Sequence, residues 1–578
     1  MRLSRIVLVA SLVLVGTQAF GAKTVGFAAT VIYSSGAPGG NSVVTADVNS
    51  DGFPDLIVAT NNGVSVLLNN ADGTFLPAST FVSGGNFSNA VAVADVNNDS
   101  VPDIVVTNEC LSQSFCSGVA VLFGNGDGTF QSAVGYDSGG LETGGLAVGD
   151  INGDGWLDLI LVSNCQVQTC AGGTSTLLLN NGDGTFGGPA QVSDGTGPVA
   201  IGDMNGDGVP DLVTAAGVML GVGDGTFSAP NSTVVSGATS LTLADLNGDG
   251  KLDVIVALPG TQVAVQLGIG DGTLQAATKL ASGGANPLSV AVADFNGDGI
   301  LDLAVANECT ALVAGACSGN GRVGVLSGNG NGTFQAFAAF ASGGGFTTSL
   351  AISDVDQDFK NDVVVANACI GGAANCAHGV VGVLRNNFLA TVTVQIASSL
   401  NPVTAGQSVT FTATLTSAPP VPDGGQVAFT DGTNPTPFCT STTVSGVASC
   451  ATIFSRRGAH AIRATYAGDL YHRTGVRALA ETVNPYPSTT TVSASPNPST
   501  FGQAVTITAT VTSAGPTIPT GTVTFYNGSV ALGSAVLSGG SAAITKTNLP
   551  AGVDTINVTY HGDTQTGIST GSTTQTVN

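Results

Sequence analysis

Seven short acidic segments hold the side chains of this chain that are best suited to chemistry. Five follow the pattern D-x-[ND]-x-D-G-x-x-D, two differ from it only at the glycine, and all lie between two short apolar runs. Oxygen atoms at alternate positions can surround one hard cation, and the glycine permits the sharp bend that this needs. The pattern therefore predicts up to seven Ca²⁺ sites, one in each copy.

The same ligand types recur in all seven copies, with Asp356 replacing Asn in the last. The predicted metal ligands are Asp47, Asn49, Asp51, Asp55, Asp95, Asn97, Asp99, Asp103, Asp150, Asn152, Asp154, Asp158, Asp203, Asn205, Asp207, Asp211, Asp245, Asn247, Asp249, Asp253, Asp294, Asn296, Asp298, Asp302, Asp354, Asp356, Asp358 and Asp362.

The composition favours a folded, acidic protein rich in strands. Of the 578 residues, 43% are hydrophobic and only 9% charged, and 82 are glycines, which suit short strands joined by tight turns. The net charge of −24 argues against nucleic acid or an anionic lipid surface as a partner.

Residues 1–21 have the pattern of a secretory signal peptide. Arg2 and Arg5 give a basic start, Ile6–Val15 is apolar but too short to span a bilayer, and Thr17–Gly21 offers small residues for cleavage. No later apolar run is long enough for a membrane helix. We therefore predict export to the medium or the cell surface without membrane insertion.

The cysteines fall into close pairs along the sequence. Each has one near neighbour and is far from the others, which predicts local disulfides. A metal site is the alternative, but the chain has no C-x-x-C and only 4 histidines. The predicted pairs are Cys110/Cys116, Cys165/Cys170, Cys309/Cys317, Cys369/Cys376 and Cys439/Cys450.

The acidic segments begin at residues 47, 95, 150, 203, 245, 294 and 354, so each repeat is large enough for a supersecondary unit. Short apolar runs before and after each segment predict strands, without the helices that an EF-hand requires. Four strands in each of seven units predict a seven-bladed β-propeller over residues 26–388. Phe27–Ser34 matches the fourth strand of other units, so we expect it to complete the last blade.

A second acidic turn, [NG]-[DN]-G-T-[FL], recurs once in most repeats. It is either a further cation site or, as we favour, ordinary hairpin chemistry in which Asp-Gly tolerates positive φ. The turn occurs at Asp72, Asp127, Asp183, Asp224, Asp271 and Asn331.

Residues 27–388 resemble the FG-GAP/VCBS repeat family, best known from the propeller of integrin α subunits, because both the loop and the period agree. The resemblance implies Ca²⁺ in the loop between the first two strands of each blade, with a backbone oxygen of the seventh loop position as a further ligand. Ser100 and Phe359 stand where that family has glycine. This leaves the occupancy of the second and seventh loops open, and we expect Phe359 to need a positive φ.

Beyond the propeller the acidic segments stop, and Thr, Ser, Val and Pro dominate. Two units align with each other, for example Ala405–Thr414 with Phe501–Thr510. Their length and alternation predict two β-sandwiches, residues 391–484 and 487–578. These units resemble the bacterial Ig-like repeats of secreted and surface proteins.

No convergent set of catalytic side chains is evident. We expect His378 to be a solvated loop residue. We expect Trp156 to pack within the fold rather than to offer a surface on which a sugar ring stacks. His460, His472 and His561 are spread too far to form one site. We therefore predict a protein that is not an enzyme, with two alternatives: a propeller-type polysaccharide lyase or hydrolase, and a structural spacer.

In a four-stranded meander, alternate loops share a face. The calcium loops and the Asp-Gly hairpins then lie on one face, and the cysteine loops lie on the other. Rigid loops on a scaffold commonly carry recognition, so we predict adhesion or binding of an extracellular protein or glycan through Glu109, Glu308 and their neighbouring loop residues. That the cysteine loops only close long hairpins is equally open.

Overall fold

The computed structural model describes residues 25–110, 118–165, 172–370, 378–417, 420–432 and 436–578. All regular structure in these residues is β-strand, which confirms the all-β prediction. They contain no helix that is long and apolar enough to cross a membrane. The predicted signal peptide, residues 1–21, lies outside the described residues. The chain divides into two compact units, Met1–Leu389 and Ala390–Asn578.

The first unit is built from short strands. They are β1 (Val31–Ser34), β2 (Ser42–Ala46), β3 (Asp55–Thr60), β4 (Gly63–Leu67), β5 (Ser79–Phe81), β6 (Asn86–Ala94), β7 (Asp103–Cys110), β8 (Gly118–Leu122), β9 (Val134–Tyr136), β10 (Leu141–Gly149), β11 (Asp158–Cys165), β12 (Thr174–Leu178), β13 (Ala190–Asp194), β14 (Val199–Gly202), β15 (Asp211–Thr214), β16 (Gly217–Met219), β17 (Ser240–Ala244), β18 (Asp253–Leu258), β19 (Gln262–Gln266), β20 (Thr278–Ala281), β21 (Ala285–Ala293), β22 (Asp302–Cys309), β23 (Ala311–Val313), β24 (Ala316–Ser318), β25 (Arg322–Leu326), β26 (Ala338–Ala341), β27 (Gly345–Ser353), β28 (Asp362–Cys369) and β29 (Val380–Leu384).

These strands form successive antiparallel sheets, one for each acidic segment. We number them in chain order: sheet 1 (β2–β5), sheet 2 (β6–β9), sheet 3 (β10–β13), sheet 4 (β14–β16), sheet 5 (β17–β20), sheet 6 (β21, β22, β25, β26) and sheet 7 (β27–β29 with β1). The strands β23 and β24 form a separate hairpin on sheet 6. Each acidic segment joins the first and second strands of its sheet, as predicted.

The sheets pack face to face in a cycle. Their second and third strands are runs of valine, leucine and isoleucine and are almost completely buried, as in β3. Each apolar cluster of this unit joins two consecutive sheets. The cluster of Val43 and Leu56 with Val355 and Val364 joins sheet 1 to sheet 7. This continuous burial is the main source of stability for the arrangement.

The N-terminal strand completes the last sheet, which confirms the expected ring closure. Its register places Val31 opposite Val383 and Ser34 opposite Val380 on β29. Phe27 packs edge-on against Phe295 and Phe340, with ring centroids 5.7 and 5.0 Å away. The first residues of the fold therefore hold its last sheet.

The second unit contains two successive β-sandwiches. The first is built from β30 (Thr393–Ser398), β31 (Val403–Thr404), β32 (Ser408–Thr416), β33 (Gln426–Asp431), β34 (Cys439–Thr442), β35 (Val447–Ile453), β36 (Gly458–Tyr466) and β37 (Gly475–Asn484). The second is built from β38 (Ser488–Ser495), β39 (Val505–Ser513), β40 (Thr522–Asn527), β41 (Val530–Val536), β42 (Ser541–Lys546), β43 (Gly552–Tyr560) and β44 (Ser569–Val577). Each sandwich has its own apolar core, centred on Phe411 and Phe429 in the first and on Phe525 in the second.

Candidate metal centres

All seven acidic loops have the same backbone conformation, although their sequences differ. The fourth and sixth loop positions take positive φ in every copy. The fourth positions are Ser50, Asn98, Gly153, Gly206, Gly248, Gly297 and Gln357; the sixth are Gly52, Ser100, Gly155, Gly208, Gly250, Gly299 and Phe359. The expected positive φ at Phe359 is confirmed, at 65°. The second and seventh loops therefore keep the shape of the others without glycine.

The first aspartate of each loop holds the bend. In the first loop, Asp47 accepts hydrogen bonds from the backbone N–H groups of Asp51 and Gly52, at 3.1 and 2.8 Å. The seventh loop repeats this with Asp354, which accepts from Asp358 and Phe359 at 3.0 and 2.7 Å. The loop thus curls around the carboxylate and brings the alternate oxygens to one side.

The last aspartate of each loop is completely buried and clamps the loop to the third strand of its sheet. In the first loop, Asp55 accepts from Val48 N at 3.0 Å and from Asn69 N at 2.8 Å. The same two bonds recur in the other six copies. The members of this set are Asp55, Asp103, Asp158, Asp211, Asp253, Asp302 and Asp362.

Burial makes these carboxylates costly to ionise. It raises the pKa of Asp55 and Asp103 to about 6, and that of Asp302 and Asp362 to about 7, against the opposing effect of the backbone hydrogen bonds. Neighbouring loop carboxylates raise these pKa values further. A nearby cation favours the ionised form of a buried carboxylate, so these sites would gain from one.

Two loops contain buried oxygens that lack a hydrogen-bond partner. Asn296 Oδ1 and Asp356 Oδ1 are both in this state, and both belong to the third loop position, where a metal ligand is predicted. In the first five loops the third-position oxygen accepts a backbone N–H instead, as Asn49 does from Asp51 at 3.1 Å. In the seventh loop, carboxylate oxygens of Asp354, Asp356 and Asp362 lie within 4.8 Å of one another. Hard oxygen donors with unfilled acceptor capacity fit Ca²⁺.

The seventh loop also has cationic side chains beside it. Lys360 Nζ lies 3.2 Å from Asp358 Oδ2, and Arg385 Nε lies 3.8 Å from Asp356 Oδ2. The Lys360 side chain is largely buried there. The negative charge of the extra carboxylate in this loop, that of Asp356, is therefore partly compensated by cationic side chains of the protein itself.

Hydrogen bonds link the loops of neighbouring sheets. Asn386 Nδ2 donates to Phe295 O at 2.7 Å, and Asn69 and Asn180 make the equivalent bond to the preceding sheet. Gln357 Nε2 donates to Gly52 O at 2.7 Å, which joins the seventh loop to the first. These linking residues were not predicted. Asn69 and Asn180 each stand three residues before an Asp-Gly hairpin, whereas Asn386 and Gln357 have no such signal in the sequence.

The second acidic turn has the internal hydrogen bonds of a hairpin turn. Asp72 Oδ1 accepts from Thr74 N at 2.9 Å and from Thr74 Oγ1 at 2.6 Å, and the other turns repeat this. These bonds, chiefly that from the hydroxyl, lower the pKa of Asp72. The turns lie against the acidic loops, since a Cβ at Gly73 would meet Asp356 Cβ at 2.7 Å. Loops and hairpins therefore share one face.

Two of the five predicted disulfides lie wholly within the described residues, and both are confirmed. The Cα–Cα distance of Cys309–Cys317 is 5.7 Å, and that of Cys439–Cys450 in the second unit is 6.3 Å. The predicted partners of Cys110, Cys165 and Cys369 lie outside the described residues, so these three pairings stay predictions. Those partners are Cys116, Cys170 and Cys376.

The cysteine loops follow the second strands of their sheets, at the end away from the acidic loops. The strand ends at Cys110, Cys165, Cys309 and Cys369 therefore lie on the opposite face, which we call the cysteine-loop face. Glu308 Oε2 accepts there from Asn286 Nδ2 at 3.0 Å, and Asn286 belongs to the first strand of sheet 6. This contact holds the predicted ligand-binding carboxylate of sheet 6 against its own sheet.

The remaining candidates are placed as follows. Glu109 and Glu308 lie on β7 and β22, in sheets 2 and 6, so the structure does not bring them together. Trp156 packs against Gly182 of its own sheet, and His378 is exposed.

The three histidines of the second unit make separate contacts. His460 Nδ1 lies 2.7 Å from Asp431 Oδ2, and His472 Nδ1 lies 2.6 Å from Asp469 Oδ1. His561 Nε2 contacts a threonine hydroxyl at 2.8 Å. They form no common site among the residues described.

Two family models match the chain. The FG-GAP-like repeat model matches residues 47–106, 108–161, 167–214 and 245–305. The bacterial Ig-like domain (group 3) model matches residues 396–484 and 492–578. Comparison with curated proteins finds no match.

Several solved structures are similar at low identity. The extracellular domain of the BT4673 system from B. thetaiotaomicron is 10% identical with a TM-score of 0.35, and the match covers 80% of this chain and 58% of that one. The adhesin InvE from Yersinia pseudotuberculosis is 17% identical with a TM-score of 0.21, covering 32% of this chain and 58% of that one. The chain thus spans less than two thirds of both structures. No functional conclusion rests on these TM-scores.

The matched repeats and domains are of types found in extracellular adhesion or binding modules, and the disulfides agree with a secreted or surface location. From these matches, the chain belongs to the proteins that combine FG-GAP-like repeats with bacterial Ig-like domains.

Proposed function

We propose that this protein is exported and calcium-stabilised, and that it binds an extracellular protein or glycan on its cysteine-loop face. The observation that carries the calcium assignment is the common conformation of seven oxygen-rich loops, two of which leave a buried third-position oxygen without a partner. Side chains at loop positions one, three, five and nine, with the backbone oxygen of position seven, would hold the ion.

Bound Ca²⁺ would supply positive charge beside the buried aspartates. Its role would be structural, because each loop joins two strands of one sheet and contacts the neighbouring sheet. Asp55 and its six counterparts connect each loop to the buried third strand, so an ion at the loop would stabilise the sheet it belongs to.

The number of bound ions tests this assignment. The chain, stripped with EGTA and dialysed against Ca²⁺, should bind up to seven ions by elemental analysis. The variant Asp150→Asn/Asp154→Asn should bind one ion fewer, and Asp137→Asn, outside the loops, should change nothing. A chain that retains no Ca²⁺ at 1 mM free ion, the extracellular concentration range, would refute the assignment.

The binding role is proposed for the face whose loops differ most between sheets. The acidic loops are uniform, whereas sheets 2, 3, 6 and 7 carry cysteine loops where sheet 1 has a short turn at Asn61–Gly63. Replacing the four cysteine loops with that turn should keep the melting temperature of the first unit and remove binding to the ligand recovered by pull-down. Survival of binding after all four replacements would place recognition elsewhere.

A further inference from the structure

The first strands of all seven sheets surround a cavity of about 360 Å³. On these strands its lining residues stand four to six positions before the first aspartate of the acidic loop, and Asn164 next to Cys165 also lines it. The cavity therefore opens on the cysteine-loop face. Its volume falls in the range of small-ligand sites.

The described polar groups of the cavity wall are neutral, since none of the lining residues that the structure describes is ionisable. Asn41 Nδ2 donates to Ser88 O at 2.7 Å, and Asn89 Nδ2 donates to Thr143 O at 3.1 Å, each reaching the next sheet. Thr239 Oγ1 makes the equivalent bond at 2.6 Å. These bonds fix the wall in place, so a ligand would meet a rigid surface.

Three sheets lack such a donor. The equivalent residues, six positions before the first loop aspartate, are Gly144, Gly197 and Leu288. A Cβ added at Gly144 would meet nothing within 4 Å, and its φ lies outside the left-handed region. Sheet 3 therefore contributes a recess that a larger side chain could fill without backbone strain.

The next residue along the strand supplies hydroxyl groups. Ser240 Oγ and Ser349 Oγ accept backbone N–H bonds from Val290 and Val43 at 3.3 and 3.4 Å. A hydroxyl that accepts such a bond still has its own hydrogen to donate. Ser42 and Ser289 line the same cavity.

We infer that this cavity binds a neutral sugar unit of an extracellular glycan. A pyranose presents hydroxyl groups alternating with C–H surface, and the wall offers serine hydroxyls, amide oxygens and leucine side chains without a charge. The inference rests on the proposed binding function and assigns it a position and a ligand class. Because none of the described residues that line the cavity is aromatic, we expect weak binding, with Kd on the order of 1 mM.

The test uses the full mature chain in 1 mM Ca²⁺, with cellohexaose, xylohexaose and maltohexaose as neutral probes and hexagalacturonate as the acidic one. The variant Gly144→Leu copies the residue of sheet 6 and fills the recess. Gly188→Leu is the control, since Gly188 is exposed on the same sheet, outside the cavity, and also has open space at its Cβ. Ser289→Ala removes one hydroxyl and serves if Gly144→Leu does not fold.

Calorimetric titration should show binding of at least one neutral hexasaccharide, weakened at least tenfold by Gly144→Leu, severalfold by Ser289→Ala, and unchanged by Gly188→Leu. Absence of neutral-sugar binding, preference for hexagalacturonate, or unchanged binding by both cavity variants would overturn the inference. If sugars fail to bind but cysteine-loop replacement still abolishes capture of a protein ligand, only this inference fails and the proposed function stands.

Discussion

At the scale of single residues, the sequence predicted where the acidic loops are but not the separate structural role of each aspartate. The pattern assigned Asp55 and its counterparts to the cation alone. The structure shows that each also accepts two backbone N–H groups from distant residues, such as Asn69. That bond depends on how the start of β3 lies beside the end of β4, which a spacing pattern does not contain.

Phe359 gives the clearest single-residue prediction. A bulky side chain in the left-handed region costs roughly 1–2 kcal/mol, and glycine there loses about 0.5–1 kcal/mol of chain entropy. Phe359 is also 83% exposed, so little packing is lost with it. Phe359→Gly should therefore raise the free energy of unfolding by up to about 1 kcal/mol, measured by denaturant titration. The reverse change in the fourth loop, Gly208→Phe, should lower the free energy of unfolding. If both variants were as stable as the wild type, Phe359 would not be strained.

A buried carboxylate in the first sandwich gives a second prediction. Glu481 is fully buried, and neither of its carboxylate oxygens has a hydrogen-bond partner. At the same place in the second sandwich, Gln575 Nε2 donates to Pro496 O and Ser499 Oγ, both at 3.1 Å. Glu481→Gln should raise the unfolding free energy of the first sandwich by about 1–3 kcal/mol at pH 7, because a buried group without a partner costs that much.

The matched variant Gln575→Glu should destabilise the second sandwich under the same conditions. Thermal unfolding followed by circular dichroism would measure both. A lower melting temperature for Glu481→Gln would show that this carboxylate is stabilised in a way that the hydrogen bonds do not reveal.

At the scale of elements, strands were predictable and the links between them were not. Runs such as Val-Ala-Val-Ala identified strands, which in the fold are partly buried first strands, and the Asp-Gly turns identified the hairpins. Asn386 and Gln357 instead connect neighbouring sheets through hydrogen bonds that form only once the sheets are packed. These two side chains act between repeats and leave no local pattern in their own repeat.

Ring closure makes a prediction about one element. Deleting residues 24–36 removes β1, leaves β29 as an unpaired edge and takes away the Phe27 contacts. We expect a lower melting temperature and self-association, because exposed strand edges pair with other chains. A shorter deletion that stops before Val25 is the control. A β1-deleted chain that stays monomeric and melts unchanged would contradict the closure.

One turn of the second sandwich sets a pH dependence. Burial alone would raise the pKa of Asp563, but bonds from Thr520, Gln565 and Thr566 hold it well below its usual value. A depressed folded-state pKa stabilises the fold above the unfolded pKa of about 3.9, and this stability is lost as pH falls through the folded value. Asp563→Asn should cost about 1–2 kcal/mol at pH 7 through its lost hydrogen bonds.

That cost should shrink as the pH of the melt is lowered from 7 to 2, chiefly below about 4, since Asp563 then takes up a proton in the unfolded wild-type chain, which lowers the free energy of unfolding. Melting curves of both chains across this range provide the measurement. A difference that stays constant with pH would mean that the charge of Asp563 plays no part.

At the scale of the whole molecule, the repeat period indicated the architecture before any contact was known. A recurring loop at intervals of one small sheet predicts stacked sheets, since a single such sheet cannot bury its own faces. The identity of a ligand cannot be predicted in this way. It depends on surfaces assembled from several sheets, as the cavity around Gly144 and Ser289 is.

Stabilisation by calcium is the central claim, and the melting temperature of the first unit tests it most directly. With Kd near 10⁻⁴–10⁻³ M, each site occupied at 1 mM Ca²⁺ adds about 0.4–1.4 kcal/mol, so several sites together matter to a marginally stable fold. The melting temperature of residues 22–390 should fall clearly after exhaustive EGTA treatment and recover progressively as Ca²⁺ is added back, with Mg²⁺ much less effective. A melt that is the same before EGTA, after EGTA and after Ca²⁺ is restored would contradict the account.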